Sequence, residues 1–243
     1  MSISDDQFIL LEKVSKILLG TYNFRDLARQ SVALVVKELK NQGLVAAGVF
    51  RVLASENKLS AYAYSTKYSR VIDKILPARF SELSISLAET KNLAVKAAVT
   101  DQIQQSRRLA DFSSGVLADD VTNRVQRFTK TKLGIAFPIH SRSGRVAGVI
   151  LFAVTEEKLS GEQMALFQTF ANQLGLAFSN AIAFEKLMHQ YKQKSEDVHD
   201  HDNEPSIKFT LRITPREDKR LEELARNRGI TKAELIRELL DKI

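Results

Sequence analysis

The chain has 243 residues, 44% of them hydrophobic and 27% charged, with a net charge of +7 and no cysteine. That is apolar material enough for one or two domains, and the lack of thiols excludes disulfides, thiolate zinc sites, thiol nucleophiles and thioether-attached chromophores. The charge suits a polyanionic partner, but basic residues exceed acidic ones by seven over 1–191, fall three short over 192–205 and exceed them by three over 206–243. An argument for nucleic acid therefore rests on where particular side chains stand.

The chain opens MSISDDQFILLEK, with acidic residues before a short apolar cluster, unlike the basic start and long apolar run of a secretion signal. No segment approaches the ~20 apolar residues of a membrane helix, so a cytoplasmic protein with no membrane partner is expected. Leu10, Val14 and Ile17 make one helical stripe; Leu27, Ser31, Leu34 and Leu39 make a second, ending at Asn41-Gln42-Gly43, where glycine can take a left-handed cap. Leu44 to Leu53 is apolar on both parities, as expected of a central strand covered on both faces. A turn at Glu56-Asn57-Lys58 leads into a strand from Leu59 to Ser65. After a long mixed middle, Leu133–Ser141 and Arg145–Thr155 form a hairpin about Ser143-Gly144, and Pro138 inside it predicts an edge or a bulge. From Ser160 a long helix carries Phe167, Phe170, Leu174, Ala177, Ala181, Phe184, Met188 and Tyr191 at alternating spacings of three and four. That stripe either packs on its own domain or meets a partner helix; its run past the domain edge favours self-association. The fold class is α+β, with helices flanking an antiparallel sheet.

Hydrophobic residues nearly vanish over Lys192–Pro205, which reads as a linker. His199 and His201 alternate with aspartates there, a spacing open to metal coordination, but a solvated linker accounts for them and no metal site is assigned. His140, alone on a strand, is read as a partly solvated polar residue rather than a haem or metal ligand. Arg124, Arg127, Lys130 and Lys132 form a basic stretch that either receives an anion or is a solvated face. No acid, base and nucleophile converge, so no catalytic residue is expected and the chain is read as a non-enzyme.

Residues 24–190 resemble a GAF domain. The resemblance is carried by GLVAAGVFRV as the first strand, LGIAFPIHSRSGRVAGVILFA as the late hairpin and LSGEQMALFQTFANQLGLAFSNA as the closing helix. It implies a central antiparallel sheet, dimerising helices on one face, and a small-molecule pocket between the other face and the segment from about Ser69 to Lys132. Phe50, Tyr62, Phe80, Asn92 and Phe137 are pocket candidates by this analogy. No cofactor is implied beyond an unidentified small-molecule effector.

Past the linker, SIKFTLRI alternates strictly, with Ile207, Phe209, Leu211 and Ile213 on one face and Ser206, Lys208, Thr210 and Arg212 on the other. Thr214-Pro215-Arg216-Glu217 is a capping box opening a helix striped by Leu221, Leu224 and Ala225. Asn227-Arg228-Gly229 ends it, and Thr231-Lys232-Ala233-Glu234 caps a second helix with Leu235, Ile236, Leu239, Leu240 and Ile243. One strand and two short helices cannot satisfy the strand's edges or bury both apolar faces alone, so the unit needs a second copy. Residues 206–243 resemble the ribbon-helix-helix repressors of bacteria and archaea. The resemblance implies that Lys208, Thr210 and Arg212 read base edges in the major groove, while Thr231 and Lys232 hold a phosphate at a helix N-terminus.

The organisation expected is thus a GAF-like sensory and dimerisation unit over 1–191, a linker over 192–205 and a ribbon-helix-helix unit over 206–243, completed by dimerisation. The function expected is a homodimeric, sequence-specific DNA-binding transcriptional regulator, a repressor, with self (a dimer or tetramer), double-stranded DNA and a small-molecule effector as partners. The alternatives are a signalling or scaffold protein whose tail only oligomerises it, and an antitoxin-like autoregulator.

Overall fold

The computed structural model describes residues 23–196 and 215–240. The chain divides into two units, Met1–Gln193 and Lys194–Ile243. The expected first helix, the histidines of the linker and the strand carrying Lys208, Thr210 and Arg212 lie outside the described residues.

In the first unit, helix α1 spans Phe24–Glu38. Asn23 caps it by accepting from the N–H groups of Arg25 and Asp26. A single 3-10 turn follows, and Gly43 closes it at φ 75°, the left-handed position its sequence suggested. Strand β1, Leu44–Leu53, lies between β2, Lys58–Thr66, and β6, Val146–Val154, all antiparallel. Strand β5, Leu133–His140, completes the late hairpin with β6. The middle of the chain contributes helix α2 (Ser69–Ile75), strand β3 (Ser84–Ser86), helix α3 (Leu93–Thr100), strand β4 (Gln104–Ser106) and helix α4 (Asp119–Thr129). The sheet has six strands in the order β3-β2-β1-β6-β5-β4.

Pro138 stands opposite Val149 of β6, while β4 pairs only with Gly134, Ile135 and Ala136 of β5. At Pro138 the outer side of β5 is therefore an edge, where a missing N–H removes no ladder hydrogen bond.

Helix α5, Gly161–Glu196, opens with a reciprocal cap: Gln163 N–H donates to Ser160 Oγ, and Ser160 N–H to Gln163 Oε1. It continues five residues into the stretch read as linker. Helices α1 and α5 cover one sheet face with a core that includes Phe24, Val49, Phe137, Phe152, Phe167, Phe170 and Phe178. Glu185 of α5 accepts from the Phe24 N–H and pairs with Arg51 of β1 at 3.5 Å, and the Arg51 guanidinium stacks on the Phe24 ring. Gly175 permits the close helix-to-strand approach, because a Cβ there would stand 2.2 Å from the His140 carbonyl oxygen. Phe167, Phe170, Leu174, Ala177 and Ala181 are all buried within this core. The stripe that suggested a partner helix is thus occupied by the chain's own domain over those five positions, and their periodicity is no argument for self-association.

The described part of the second unit is a helix pair, α6 (Pro215–Arg228) and α7 (Lys232–Leu240). Gly229, at φ 67°, turns one into the other. Ala225 and Leu235 are buried between them, whereas Leu224 is 44% exposed.

Candidate functional site

The sheet face opposite α1 and α5 is roofed by the middle segment, α2 to α4. A second apolar cluster forms there, including Leu59, Ile85, Val95, Phe112, Ala136 and Val149. Between roof and sheet is a cavity of about 170 Å³. Phe50, Ala61, Tyr64, Phe80, Leu109 and Phe112 are among its walls, and among the described residues no Lys, Arg, Asp or Glu lines it.

Of the five pocket residues expected from sequence, Phe50, Phe80 and Asn92 line this cavity and two do not. Phe137 is fully buried in the α1 and α5 core, its ring 5.6 Å from Phe152, because β5 turns Ile135, Phe137 and Ile139 to the helices and Ala136 to the roof. Tyr62 packs edge-on against Phe24 at 4.8 Å, also on the helix side. Alternation from Leu59 and Ala61 on the cavity side puts it there, and a β-bulge follows: Val49 pairs with Ala63 and Phe50 with Ala61, leaving Tyr62 as the extra residue. Tyr62 and Ala63 both pack on the helix side, and alternation restarts one residue later. Tyr64 therefore occupies the cavity wall, with its ring 4.9 Å from Phe80. Strict parity puts Tyr62 and Tyr64 on one face, so only the bulge separates them.

Asn92 lines the cavity but has nothing left to offer a ligand. Its Oδ1 accepts from Ala94 N–H and Val95 N–H, capping α3, and its Nδ2 donates to the carbonyls of Phe112 and Ser114 at 2.9 and 3.0 Å. All four hydrogen-bonding positions of the amide are filled, so Asn92 fastens α3 to the neighbouring loop.

Tyr64 donates its hydroxyl proton to Asp73 of α2, tying the roof to the sheet at the cavity rim. Burial raises the Tyr64 pKa above its ordinary value of 10.0, and the hydrogen bond and charge of Asp73 raise it further. With the phenol pKa raised in the folded state, the unfolded tyrosine loses its proton first as pH rises, and that ionisation favours unfolding. The stabilisation is whole below pH 10 and lost progressively above it. Tyr64→Phe should cost about 1 kcal/mol at neutral pH and flatten the alkaline fall of unfolding free energy. Urea titrations of both proteins at several pH values between 8 and 11 check this; parallel profiles would show that the Asp73 contact contributes nothing.

The basic stretch lies apart from the cavity. Arg124, Arg127, Lys130 and Lys132 are exposed, Arg124 pairing with Asp120 at 3.3 Å and Lys132 with Glu157 at 3.7 Å. The His140 Nε2 meets Asp101 Oδ1 at 2.6 Å. Among the described residues no three His, Asp or Glu side chains come together as a metal site needs, and no helix is long and apolar enough to cross a membrane.

In the helix pair, Thr231 Oγ1 accepts from Glu234 N–H, while Thr231 N–H and hydroxyl donate to Glu234 Oε2 at 2.8 and 2.7 Å. The Glu234 carboxylate thus already sits on both donors of Thr231. Lys232 Nζ contacts Asp218 Oδ1 of α6 at 2.6 Å. That hydrogen bond holds the ammonium above its usual pKa, helped by the charges of Asp218 and Glu222 and opposed by desolvation.

Residues 207–242 match the model of the family described as ribbon-helix-helix protein, copG family. No curated protein matches the chain in sequence. Among solved structures, the GAF domain of an Acinetobacter phosphoenolpyruvate-protein phosphotransferase is similar at 14% identity over 74% of this chain and 96% of its own, with a TM-score of 0.53. A free methionine-R-sulfoxide reductase from Neisseria meningitidis, solved with its substrate, is 13% identical over 75% of this chain and 96% of its own, TM-score 0.51. The phycoerythrobilin-bound GAF domain of a cyanobacterial phytochrome is 13% identical over 76% of this chain and 100% of its own, TM-score 0.51. The chain therefore joins a unit with the GAF fold to a ribbon-helix-helix segment that follows it.

Proposed function

We propose that the protein is a homodimeric, sequence-specific DNA-binding transcriptional regulator that acts by repression, and that its GAF-fold unit senses a small molecule. The observation that carries this reading is the family match over residues 207–242. Two SIKFTLRI strands paired antiparallel form a ribbon of the width the major groove admits, with Lys208, Thr210 and Arg212 on its outer face. Arginine and lysine donate to guanine O6 and N7, and threonine bonds a base edge or contacts a thymine methyl. A second copy also covers Leu224, an exposed apolar side chain on α6. Because Glu234 occupies the donors of Thr231, a phosphate at this helix start is held by the backbone N–H groups of the first turn and by Lys232, exchanged from Asp218.

The sensing role is supported by the apolar cavity and by the substrate and bilin carried by the reductase and phytochrome of the same fold. Residues 1–191 form the sensor, 192–205 the connection and 206–243 the DNA-binding unit of a cytoplasmic regulator, and no catalytic step is assigned.

A mobility-shift titration of the full chain on random duplex tests the DNA reading. Binding should be strongest near 50 mM salt and fall steeply by 200 mM, with a log–log slope of about −0.9 per phosphate neutralised. No retardation at the low-salt end would reduce the tail to an oligomerisation ribbon.

A further inference from the structure

The polar groups of the cavity restrict what it can hold. Its walls bear no charge, so a buried anion would find no cation to offset its desolvation. Of the polar side chains that line it, Asn92 is saturated and Tyr64 gives its proton to Asp73. Ser84 stands on an exposed strand position. The remainder are two hydroxyl pairs on α4 and its flanks, Ser113 with Thr122 and Thr129 with Thr131, each 2.7 Å apart.

Each hydroxyl has one proton and two lone pairs. Thr129 donates to the Val125 carbonyl at 2.9 Å, so the Thr131 proton completes the contact between the threonines. Ser113 lies 3.4 Å from the Ala110 carbonyl oxygen, and the arrangement that uses both protons of its pair has Thr122 donating to Ser113. In each pair the protons are engaged and lone pairs remain, on Thr131 and Thr122. Both threonines are 5% exposed. The cavity is therefore apolar and uncharged, with open acceptors at Thr131 and at Thr122. Its size is set as well: an apolar cavity of about 150 Å³ takes benzene in another protein, and this one measures about 170 Å³.

We propose that the cavity takes an uncharged, mainly hydrocarbon molecule of one ring or two fused rings bearing an N–H or O–H donor, with that donor directed to Thr131 or Thr122. Carboxylates, phosphates and nucleotides are excluded by the same walls. The assignment rests on reading the GAF-fold unit as a sensor, and it adds the chemical class of what is sensed.

Calorimetry and thermal unfolding of the full chain with four probes test it: indole, benzothiophene as an indole-shaped molecule without the N–H, benzoate, and cyclic AMP. Indole should bind and raise the unfolding temperature. Benzothiophene should bind about two- to tenfold more weakly, the worth of one hydrogen bond, and benzoate and cyclic AMP at least a hundredfold more weakly. Thr131→Val is isosteric and leaves the Thr129 bond to Val125 in place; it should narrow the gap between indole and benzothiophene without weakening benzothiophene. Tighter binding of benzoate or cyclic AMP than of indole overturns the ligand class and leaves the sensor reading standing, as does failure of all four probes to shift the wild-type protein. Indole binding with no change in duplex affinity supports the class and removes the sensor reading instead.

Discussion

Arg212→Ala should weaken binding to the cognate duplex by about fivefold or more for each half-site, because a bidentate arginine pairing with guanine is worth about 1–3 kcal/mol. In a twofold-symmetric complex both copies forgo that pairing, so a dimer should bind about thirtyfold or more weakly. The effect should be confined to cognate sequence, with random-duplex affinity and its salt slope changed by no more than one neutralised phosphate is worth. Lys232→Ala should do the reverse, weakening all duplexes alike and reducing the slope by about 0.9 for each phosphate that is no longer neutralised. Selection of bound sequences from a random pool, followed by titration of the winning duplex with both variants, checks the pair. An Arg212→Ala protein with unaltered cognate affinity would refute the assignment of the outer ribbon face to base reading.

Phe152→Ala should lower the unfolding free energy of the GAF-fold unit by about 3–5 kcal/mol, a large share of the total for a domain this size. The side chain is fully buried, with Phe167 at 4.7 Å, Phe137 at 5.6 Å and Phe170 at 6.2 Å between ring centroids. It lies where α5 seats on the sheet, and the void left would be walled by rings that cannot collapse into it without moving the helix. Urea unfolding followed by far-ultraviolet circular dichroism measures the effect. A decrease below about 1 kcal/mol, the range of an ordinary substitution, would mean that α5 is not held through this cluster.

Most of the framework was legible in the sequence. The bounds of β1, the late hairpin, the glycine caps and the start of α5 follow from local signals: periodicity, turn chemistry and capping residues act over a few neighbours and need no knowledge of the rest of the chain. The middle segment was not legible at the same level. β3 and β4 are three residues each, too short to show alternation, and exist because an edge of the sheet is there to receive them. In the ribbon-helix-helix segment the turn at Gly229 and the cap from Thr231 to Glu234 were legible from local signals, as in the framework.

For the cavity, the sequence was enough to say that a GAF-like unit has a pocket under the middle segment and that Phe50, Phe80 and Asn92 stand near it. What each residue does there was decided by tertiary contacts. One bulged residue separates Tyr62, on the helix side, from Tyr64, which it brings to the wall. Asn92 is removed from ligand chemistry by carbonyls twenty and twenty-two residues away. From Phe167 to Ala181 the stripe on α5, which taken alone asks for any apolar partner, is answered by the sheet of its own domain. By itself the sequence determined the framework elements of the GAF-fold unit and the turn and cap between α6 and α7, because these depend on short-range geometry. Only the tertiary structure decided which apolar face meets which, and which hydrogen-bonding groups remain open, because both depend on residues far apart in the chain competing for the same space and the same protons.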